Sequence, residues 1–451
     1  MQRANLVASS VLSRAGRKAV LGLLAAFVIL IALPMSANAN LAQTPTPYMG
    51  WNTYYGVGGV FDESTIKSVA SSLISSGLSQ AGYKIVWLDF GWASGARDAS
   101  GNLLVDSTQW PGGMAGLTAW LHQQGLQAGI YTDAGTSGCS GQGVGSYGHY
   151  QQDANQFAAW GFDAVKVDFC GAGQAWLDQP PNDPRTLYAQ FSDALANNAS
   201  GRPMILNVDN FWVQNQINGS APSFADSSWD NYSWAPAYAQ SWRTDTDIGG
   251  HGNIQFANVL RNLRRDTGTA SSVSQPGIAS AAGPPGSTPY GFSAPVAWGH
   301  WNDPDYLGPG LGMTDTQAQS QFSMWAMVAA PLILGSDPRS LSSTSLSMLT
   351  NSQVIAIDQD SLGAQGYLLS GQGTTAQVWV KPLSGGARAV ALLNTGSASQ
   401  QISTSAKAAG LPAARRYHLL NLWTNQTSST RGTITASVPA NGVVLYRVTA
   451  G

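Results

Sequence analysis

The sequence contains eight short apolar runs that end in polar residues. In seven of them the last residue is an aspartate: Asp89, Asp133, Asp168, Asp209, Asp247, Asp305 and Asp337. Carboxyl groups that work in pairs can cleave a glycosidic bond. One protonated carboxyl assists the leaving oxygen, while an ionised carboxylate meets the positively charged anomeric centre from the other face. Helix capping explains two or three such aspartates. It does not explain Asp168, which is followed at once by Phe169 and Cys170.

The spacing of the eight runs predicts the elements that position these carboxylates. The first run ends at Asn52, and the ends from Asp89 onward lie 32 to 58 residues apart. A strand, a loop and a helix together need about 30 residues, so each interval fits one βα unit. Helical spacing of apolar residues fills several intervals: Ile66, Val69, Leu73 and Ile74 behind Asp62 as a cap, then Leu117, Trp120 and Leu121, then Phe256, Val259, Leu260 and Leu263.

Eight such units predict an α/β fold, a (β/α)8 TIM barrel whose strands all end at one mouth, so that the aspartates converge there. A doubly wound open sheet is the alternative, but the sequence has no glycine fingerprint in a strand-to-helix turn. Residues 267–293, rich in Gly, Pro, Ser and Ala, read as a long surface loop. That loop is a lid, a substrate rim or an inert insertion.

A second, smaller domain is predicted after about Asp360. Residues 376–381, 388–393, 417–422 and 443–448 have strand patterns separated by Gly, Ser and Thr, without a helical period. They predict a C-terminal antiparallel β-sandwich over residues 361–451, behind a catalytic barrel over residues 40–360. Packing against the barrel is the preferred role for this domain, and carbohydrate binding is the alternative.

The N-terminus has the pattern of a signal peptide over residues 1–39. Basic residues precede an apolar stretch at 19–34, and Ala37-Asn38-Ala39 fits a small-x-small cleavage site. The stretch is shorter than the roughly 18 to 20 residues of a membrane-spanning helix. We therefore expect cleavage after Ala39, a secreted protein and no stable membrane insertion.

Composition and charge narrow the class of partner. Charged residues make up 10% of the chain, whereas roughly 25% is usual in soluble globular domains. Together with 16 tryptophans, this suits a neutral, stackable partner such as an oligosaccharide or polysaccharide. After signal removal eighteen basic residues face 24 acidic ones, which argues against a nucleic-acid partner. No Cys/His cluster has zinc spacing, so no metal and no cofactor are predicted.

Several motifs in order resemble the melibiase-type α-galactosidases, glycoside hydrolase family twenty-seven of clan D. They are Met49-Gly50-Trp51-Asn52, Tyr131-Thr132-Asp133, Lys166-Val167-Asp168-Phe169-Cys170, Trp242-Arg243 with Asp247-Ile248, Trp301-Asn302-Asp303-Pro304-Asp305, and the segments 319–337 and 355–363. The likeness covers about residues 45–395. It implies a retaining exo-glycosidase that removes terminal α-D-galactosyl residues by a two-aspartate double displacement.

The resemblance also implies roles for particular residues. The family's nucleophile lies in a Lys-x-Asp motif, here Asp168 with Lys166 as a hydroxyl-binding cation. Its acid/base lies four residues after a Trp-Arg pair, here Asp247, with Asp245 as the rival and Arg243 as a sugar ligand. Trp51 or Tyr54 is expected to wall the sugar ring, Asp89 and Tyr131 to line the pocket, Asp209 to hold a hydroxyl and Asp305 to support the site.

The resemblance has consequences for the two cysteines and for one departure from the family pattern. An even pair of cysteines in an exported chain favours a disulfide over two buried thiols, and the family's disulfide falls on Cys139 and Cys170. The family places two consecutive aspartates after the second strand, whereas this chain has Asp89 followed by Phe90. Phe90 is expected to weaken the preference for galactose, unless the ring points into the core.

Other functions remain open at this point. The same family includes enzymes that act on β-L-arabinopyranosides, and some relatives act on α-glucosidic chains. A non-catalytic carbohydrate-binding protein would be a different class, against which Lys166, Asp168, Arg243 and Asp247 all argue. The oligomeric state does not follow from the sequence.

Overall fold

The computed structural model describes residues 41–139, 143–170, 184–209, 234–267 and 299–451, without the side chain of Arg265. All of them belong to one compact unit, Asn38–Gly451. The predicted signal peptide and nearly all of the predicted 267–293 loop lie outside the described residues. No helix within the described ranges is long and apolar enough to cross a membrane.

Eight parallel strands form the barrel wall. In chain order they are β1 (Met49–Asn52), β2 (Ile85–Leu88), β3 (Gln127–Asp133), β4 (Ala164–Asp168), β5 (Ile205–Asp209), β6 (Ser241–Arg243), β9 (Trp301–Asp303) and β10 (Leu332–Leu334). Their order is β10-β1-β2-β3-β4-β5-β6-β9, and a parallel bridge from Leu307 to Leu334 joins the two ends. The (β/α)8 prediction is therefore confirmed, and the doubly wound alternative is wrong.

Helices follow the strands, as the spacing predicts. They are α1 (Glu63–Ser75), α2 (Leu78–Ala81), α3 (Gly113–Gln123), α4 (Tyr150–Trp160), α5 (Pro184–Ala196), α6 (Phe256–Asp266), α7 (Asp315–Val328), α8 (Ser343–Leu349) and α9 (Ser352–Asp358). Asp62 caps α1 by accepting a hydrogen bond from the Thr65 backbone N–H at 2.7 Å. Ile66, Val69 and Leu73 are buried along one face of this helix, as expected from their spacing.

The barrel strands are buried on both faces, which is typical of a parallel sheet covered by helices. Every residue of β2, β4 and β5 is buried. Gly129 in β3 leaves room for the Trp87 indole, because a Cβ there would lie 2.4 Å from that ring. The polar residues of β4, Lys166 and Asp168, alternate with Val165 and Val167. Residues two apart share one side of a strand, so Lys166 and Asp168 point the same way.

The C-terminal region forms two antiparallel sheets. The larger has the order β11 (Tyr367–Ser370), β12 (Ala376–Pro382), β13 (Arg388–Asn394), β18 (Val443–Ala450), β15 (Tyr417–Asn421), β16 (Thr427–Thr430). The smaller pairs β14 (Gln400–Ser405) with β17 (Thr433–Val438). One face of the larger sheet contributes Trp379 and Leu445 to the barrel's hydrophobic cluster. The other packs Val380 and Leu392 against Ile402 and Ile434 of the smaller sheet.

Candidate active site

The carboxyl ends of the barrel strands open into a cavity of about 290 Å³. Its lining consists of Tyr54, Asp89, Phe90, Cys139, Lys166, Asp168, Cys170, Asp209, Thr246, Asp247 and His251. A groove of about 610 Å³ lies at the other end of the strands, beside Met49, Ile85, Gln127 and Ile205. These are the first residues of their strands, and that end of a TIM barrel serves stability. The smaller cavity is therefore the candidate active site.

Lys166 lies at the centre of three carboxylates. Its Nζ atom is 3.2 Å from Asp168 Oδ1, 3.1 Å from Asp89 Oδ2 and 3.3 Å from Asp209 Oδ2. Burial disfavours the charged lysine, but Asp168 and Asp89 together raise its pKa well above the ordinary value. Lys166 is therefore a fixed cation that aligns the ends of β2, β4 and β5.

The Asp168 carboxyl is buried in the cavity. Burial raises its pKa well above the usual range, while the Lys166 ammonium opposes that rise. Burial would also raise the pKa of Asp209, but Arg243 and Lys166 hold it below the usual range. Of these two carboxyls, Asp209 therefore keeps its charge more readily, and the Lys166 ammonium favours the charged form of Asp168.

A disulfide joins Cys139 to Cys170, as predicted. Cys139 Sγ lies 3.1 Å from Asp168 Oδ2; a disulfide sulfur carries no proton, so this is a packing contact. Asp133 accepts hydrogen bonds from the backbone N–H groups of Cys170 at 2.9 Å and Gly135 at 2.6 Å. The bridge and Asp133 together fix the backbone that follows Asp168. Asp133, Cys139 and Cys170 cluster as metal ligands would, but the bonded sulfurs offer no thiolate.

Asp247 is placed on the open side of the cavity. Its Oδ1 atom is 3.3 Å from Arg243 Nη1, and its Oδ2 atom accepts a hydrogen bond from the Tyr54 hydroxyl at 3.1 Å. One third of the side chain is exposed (33%). Burial of the carboxyl and the nearby charge of Asp305 raise the pKa of Asp247 to about 6, although Arg243 opposes them. Asp247 can therefore hold a proton in mildly acidic solution and still reach solvent.

The rival aspartate, Asp245, points elsewhere. It does not line the cavity, its side chain is fully buried, and its carboxylate is 3.1 Å from Arg261 Nε. It also accepts a hydrogen bond from the Thr246 backbone N–H at 2.8 Å. Its contacts are those of a structural ion pair.

Arg243 lies under the cavity floor and is almost fully buried. Its Nη2 atom is 2.7 Å from Asp305 Oδ1 and 3.7 Å from Asp209 Oδ2. Asp305 has a φ of 86°, a region that favours glycine, and its Oδ2 atom accepts a hydrogen bond from the Ile248 backbone N–H at 2.8 Å. Through this hydrogen bond Asp305 holds the segment that carries Asp247.

Trp51 and Tyr131 do not line the described cavity. Trp51 has 0% exposure, and its indole N–H donates to the Ser336 carbonyl at 2.8 Å. Tyr131 is also buried, with its ring 5.4 Å from Lys166 Nζ and its hydroxyl accepting from the Cys139 backbone N–H. These contacts hold both side chains within the barrel wall. Of the two candidates for the sugar wall, the structure puts Tyr54 at the cavity.

The wall opposite the carboxylates is aromatic. Its Tyr54 and Phe90 were considered from the sequence, but its His251 was not. Tyr54 lies 5.9 Å from Phe90 and 5.5 Å from His251, measured between ring centres. Gly58 and Gly59 of the β1–α1 loop leave room for these rings. A Cβ on Gly58 would lie 2.4 Å from His251, and one on Gly59 would lie 2.5 Å from Phe90. The sequence signal for His251 is its place between two glycines, Gly250 and Gly252. This turn joins two short strands, β7 (Gly249–Gly250) and β8 (Asn253–Ile254).

The site combines excess negative charge with an apolar wall. Asp89, Asp168, Asp209 and Asp247 line the cavity with Lys166 as their only cation among the described lining residues, and Arg243 lies below. This excess of negative charge helps a carboxylic acid to keep its proton and stabilises a positively charged transition state. An aromatic wall can stack on the apolar face of a sugar ring. Fold and site together define a (β/α)8 glycoside hydrolase.

Comparison with known proteins identifies the family. The sequence profile "Alpha galactosidase A" matches residues 58–279 and 290–360, and "Alpha galactosidase C-terminal beta sandwich domain" matches residues 373–448. The α-galactosidase A of Cellvibrio japonicus is 32% identical over 449 residues, which is 96% of this chain and 99% of that protein. This chain belongs to the melibiase-type α-galactosidase family, glycoside hydrolase family twenty-seven.

Solved structures agree with this assignment. α-Galactosidase I from Mortierella vinacea superposes with a TM-score of 0.73 at 28% identity, covering 92% of this chain and 99% of that one. The Saccharomyces cerevisiae α-galactosidase with raffinose has a TM-score of 0.72 at 25% identity, covering 90% of this chain and 98% of that one. The chain is an α-galactosidase-type glycoside hydrolase.

Proposed function

We propose that the protein removes terminal α-D-galactosyl residues from oligosaccharides or polysaccharides with retention of configuration, using Asp168 as nucleophile and Asp247 as acid/base. The observation that carries the proposal is the difference between the two carboxyls. Asp168 is buried beside a permanent cation, whereas Asp247 is partly exposed and has a pKa of about 6. The cation beside Asp168 favours the ionised form of that carboxyl, and the raised pKa of Asp247 lets it hold a proton, so the two environments suit a nucleophile and an acid.

In the first step Asp247 donates its proton to the glycosidic oxygen, and the ionised Asp168 carboxylate attacks the anomeric carbon. The C–O bond to the leaving group breaks as the bond from the aspartate oxygen forms, which inverts the centre to a β-linked glycosyl-enzyme. Lys166 stabilises the carboxylate before attack. The surrounding Asp89 and Asp209 favour the positive charge that develops on the sugar.

In the second step the Asp247 carboxylate accepts a proton from water, whose oxygen attacks the anomeric carbon from the α face. The ester bond to Asp168 breaks, and the second inversion returns the α configuration. Asp247 suits this exchange because its side chain is partly exposed and its carboxylate is held in place by the Tyr54 hydroxyl and the Arg243 guanidinium. Azide products from variants at Asp168 and Asp247 test the two roles, because the two variants should yield opposite anomers.

The size of the cavity favours action at chain ends. About 290 Å³ is at the small end of the roughly 300–1,000 Å³ that ligand pockets span. A space of this size, walled by Tyr54, Phe90 and His251 on one side and carboxylates on the other, suits one sugar ring.

We further propose that Phe90 relaxes the preference for galactose. The half-buried ring lines the cavity and also packs against the hydrophobic core; its place at the cavity supports this role over the alternative of core packing alone. Asp89, its neighbour, accepts hydrogen bonds from Asn52 at 2.8 Å and Lys166 at 3.1 Å. Where the family has two consecutive carboxylates after the second strand, this chain has Asp89 and the apolar ring of Phe90, so one sugar hydroxyl loses an acceptor.

Wild-type enzyme should therefore hydrolyse nitrophenyl β-L-arabinopyranoside, which lacks the exocyclic hydroxymethyl group of galactose, at a measurable rate. Phe90→Asp should raise the kcat/KM ratio of the α-galactoside to the arabinopyranoside by about tenfold or more, the scale at which a hydroxyl acceptor discriminates. Phe90→Leu, which keeps an apolar wall, is the control and should leave the ratio nearly unchanged. Strict α-galactoside preference in the wild type, unaltered by Phe90→Asp, would contradict this role.

Export is also proposed, on the pattern of residues 1–39 and on the Cys139–Cys170 disulfide, since disulfides persist mainly in oxidising compartments. Intact mass measurement of protein collected outside the cytoplasm should give a mature chain that begins at Asn40. A chain that keeps residues 1–39, or that accumulates in the cytoplasm with two alkylatable thiols, would be inconsistent with export.

A further inference from the structure

Charged side chains are divided unevenly between the two parts of the chain. Residues 361–451 contain seven Lys and Arg and no Asp or Glu. Residues 41–360 contain eleven Lys and Arg and all 24 acidic residues. The overall net charge of −2 hides this division. The C-terminal sheets therefore carry a positive potential of their own, which attracts anions.

Two of these cations share a groove of about 650 Å³ on the larger C-terminal sheet. Its side chains come from one face of β15, β16 and β18: Arg416, His418, Leu420, Thr427, Ser429 and Arg447. Register places them together. Leu420 pairs with Arg447 on one side and Thr427 on the other, and His418 pairs with Ser429. Alternate residues of each strand point to this face.

The groove lies where the sheet extends past the barrel. On β18, Val443 and Leu445 are buried in the barrel's hydrophobic cluster. Arg447 follows on the same face of the strand but is exposed, as are Arg416 and His418 on and beside β15. Arg416 Nη1 donates to Ser429 Oγ at 3.2 Å, which holds one guanidinium over the groove. Within the described ranges neither Arg416 nor Arg447 forms an ion pair with a side-chain carboxylate.

We propose that this groove binds an acidic polysaccharide, that is, a glycan with uronic acid carboxylates. Guanidinium groups match the two oxygens of a carboxylate. The Thr427 and Ser429 hydroxyls can exchange hydrogen bonds with sugar hydroxyls, and Leu420 offers an apolar contact to a ring. The choice of a glycan rests on the enzyme being a glycoside hydrolase. Galactosyl branches on a bound polymer would be held at high local concentration near the barrel.

The test measures binding of the full chain to polygalacturonate, with neutral galactomannan and double-stranded DNA as comparison polymers. Wild-type protein should bind polygalacturonate more tightly than either, and more weakly as salt is raised. Replacing both arginines, Arg416→Ala with Arg447→Ala, should raise the Kd for polygalacturonate by at least about tenfold, since two charge-assisted contacts are lost. The exposed Lys407→Ala removes one charge outside the groove and should change the Kd by less than about twofold.

Hydrolysis of nitrophenyl α-galactoside distinguishes a failure of the polysaccharide-binding proposal from a failure of the catalytic assignment. The double variant and Lys407→Ala should both retain wild-type kcat/KM on this small substrate, which also shows that they fold. Equal binding of polygalacturonate and galactomannan, or equal loss in the Lys407→Ala control, would overturn the proposal. Tighter binding of DNA would also overturn it, because the groove would then recognise phosphate polymers.

Discussion

Asp168→Ala is expected to lower kcat/KM on nitrophenyl α-galactoside by at least about 10⁴-fold, the order of loss when a hydrolase loses its nucleophile. No other described carboxylate can take over the attack, because Asp89 and Asp209 lie across Lys166, at the ends of neighbouring strands. Azide should restore part of the rate, since it can enter the space left by the carboxylate. A single displacement by azide would yield the β-galactosyl azide.

Asp209→Ala is the matched control for this change. Asp209 is another buried partner of Lys166, at 3.3 Å, so its loss disturbs the same cation without removing the nucleophile. It should raise KM and give no β-azide. If Asp168→Ala kept more than about a hundredth of wild-type activity without azide, or if Asp209→Ala gave the β-azide, the nucleophile would have to be reassigned.

The barrel can be predicted from the sequence because parallel strands that are buried on both faces have a recognisable apolar pattern. Runs such as Ala164–Asp168 are apolar and end in a polar residue at the active face, and the intervals fix the number of units. In the C-terminal sheets, the strands without a recognisable pattern are β11, β14, β16 and β17. They are short, partly exposed and, in β14 and β16, rich in Ser, Thr and Gln. Their positions are set by pairing with distant strands, which a local pattern does not show.

The site was predicted unevenly for a similar reason. Asp168 and Asp209 are the last residues of their strands and Asp247 follows β6, so their position along the chain fixes their position at the mouth. Lys166 lies two residues before Asp168 and shares its side of the strand. Trp51 was expected to be a possible wall because tryptophan suits sugars, but its place inside β1 buries it. His251 was missed because it reaches the cavity through the β7–β8 hairpin. Loop geometry of this kind depends on Gly58 and Gly252 rather than on any periodic signal.

Asp247→Ala should show a loss of activity that depends on the leaving group. A dinitrophenyl galactoside needs little protonation, so its first step should remain nearly normal. Raffinose has a sugar leaving group and should lose about 10²- to 10⁴-fold in kcat/KM, the usual contribution of general acid catalysis. Azide should react with the glycosyl-enzyme from the α face and give the α-galactosyl azide, the opposite anomer to the product of Asp168→Ala.

The pH dependence provides the second half of the same test. Because burial and the Asp305 charge raise the pKa of Asp247 to about 6, the acid form is lost as pH rises through that value. Wild-type kcat/KM on raffinose should fall about tenfold per pH unit above it, and this limb should vanish in Asp247→Ala. Asp245→Asn is the control: Asp245 pairs with Arg261 at 3.1 Å away from the cavity, so this change should lower thermal stability and leave the limb intact. A limb lost in Asp245→Asn but kept in Asp247→Ala would move the acid/base role to Asp245.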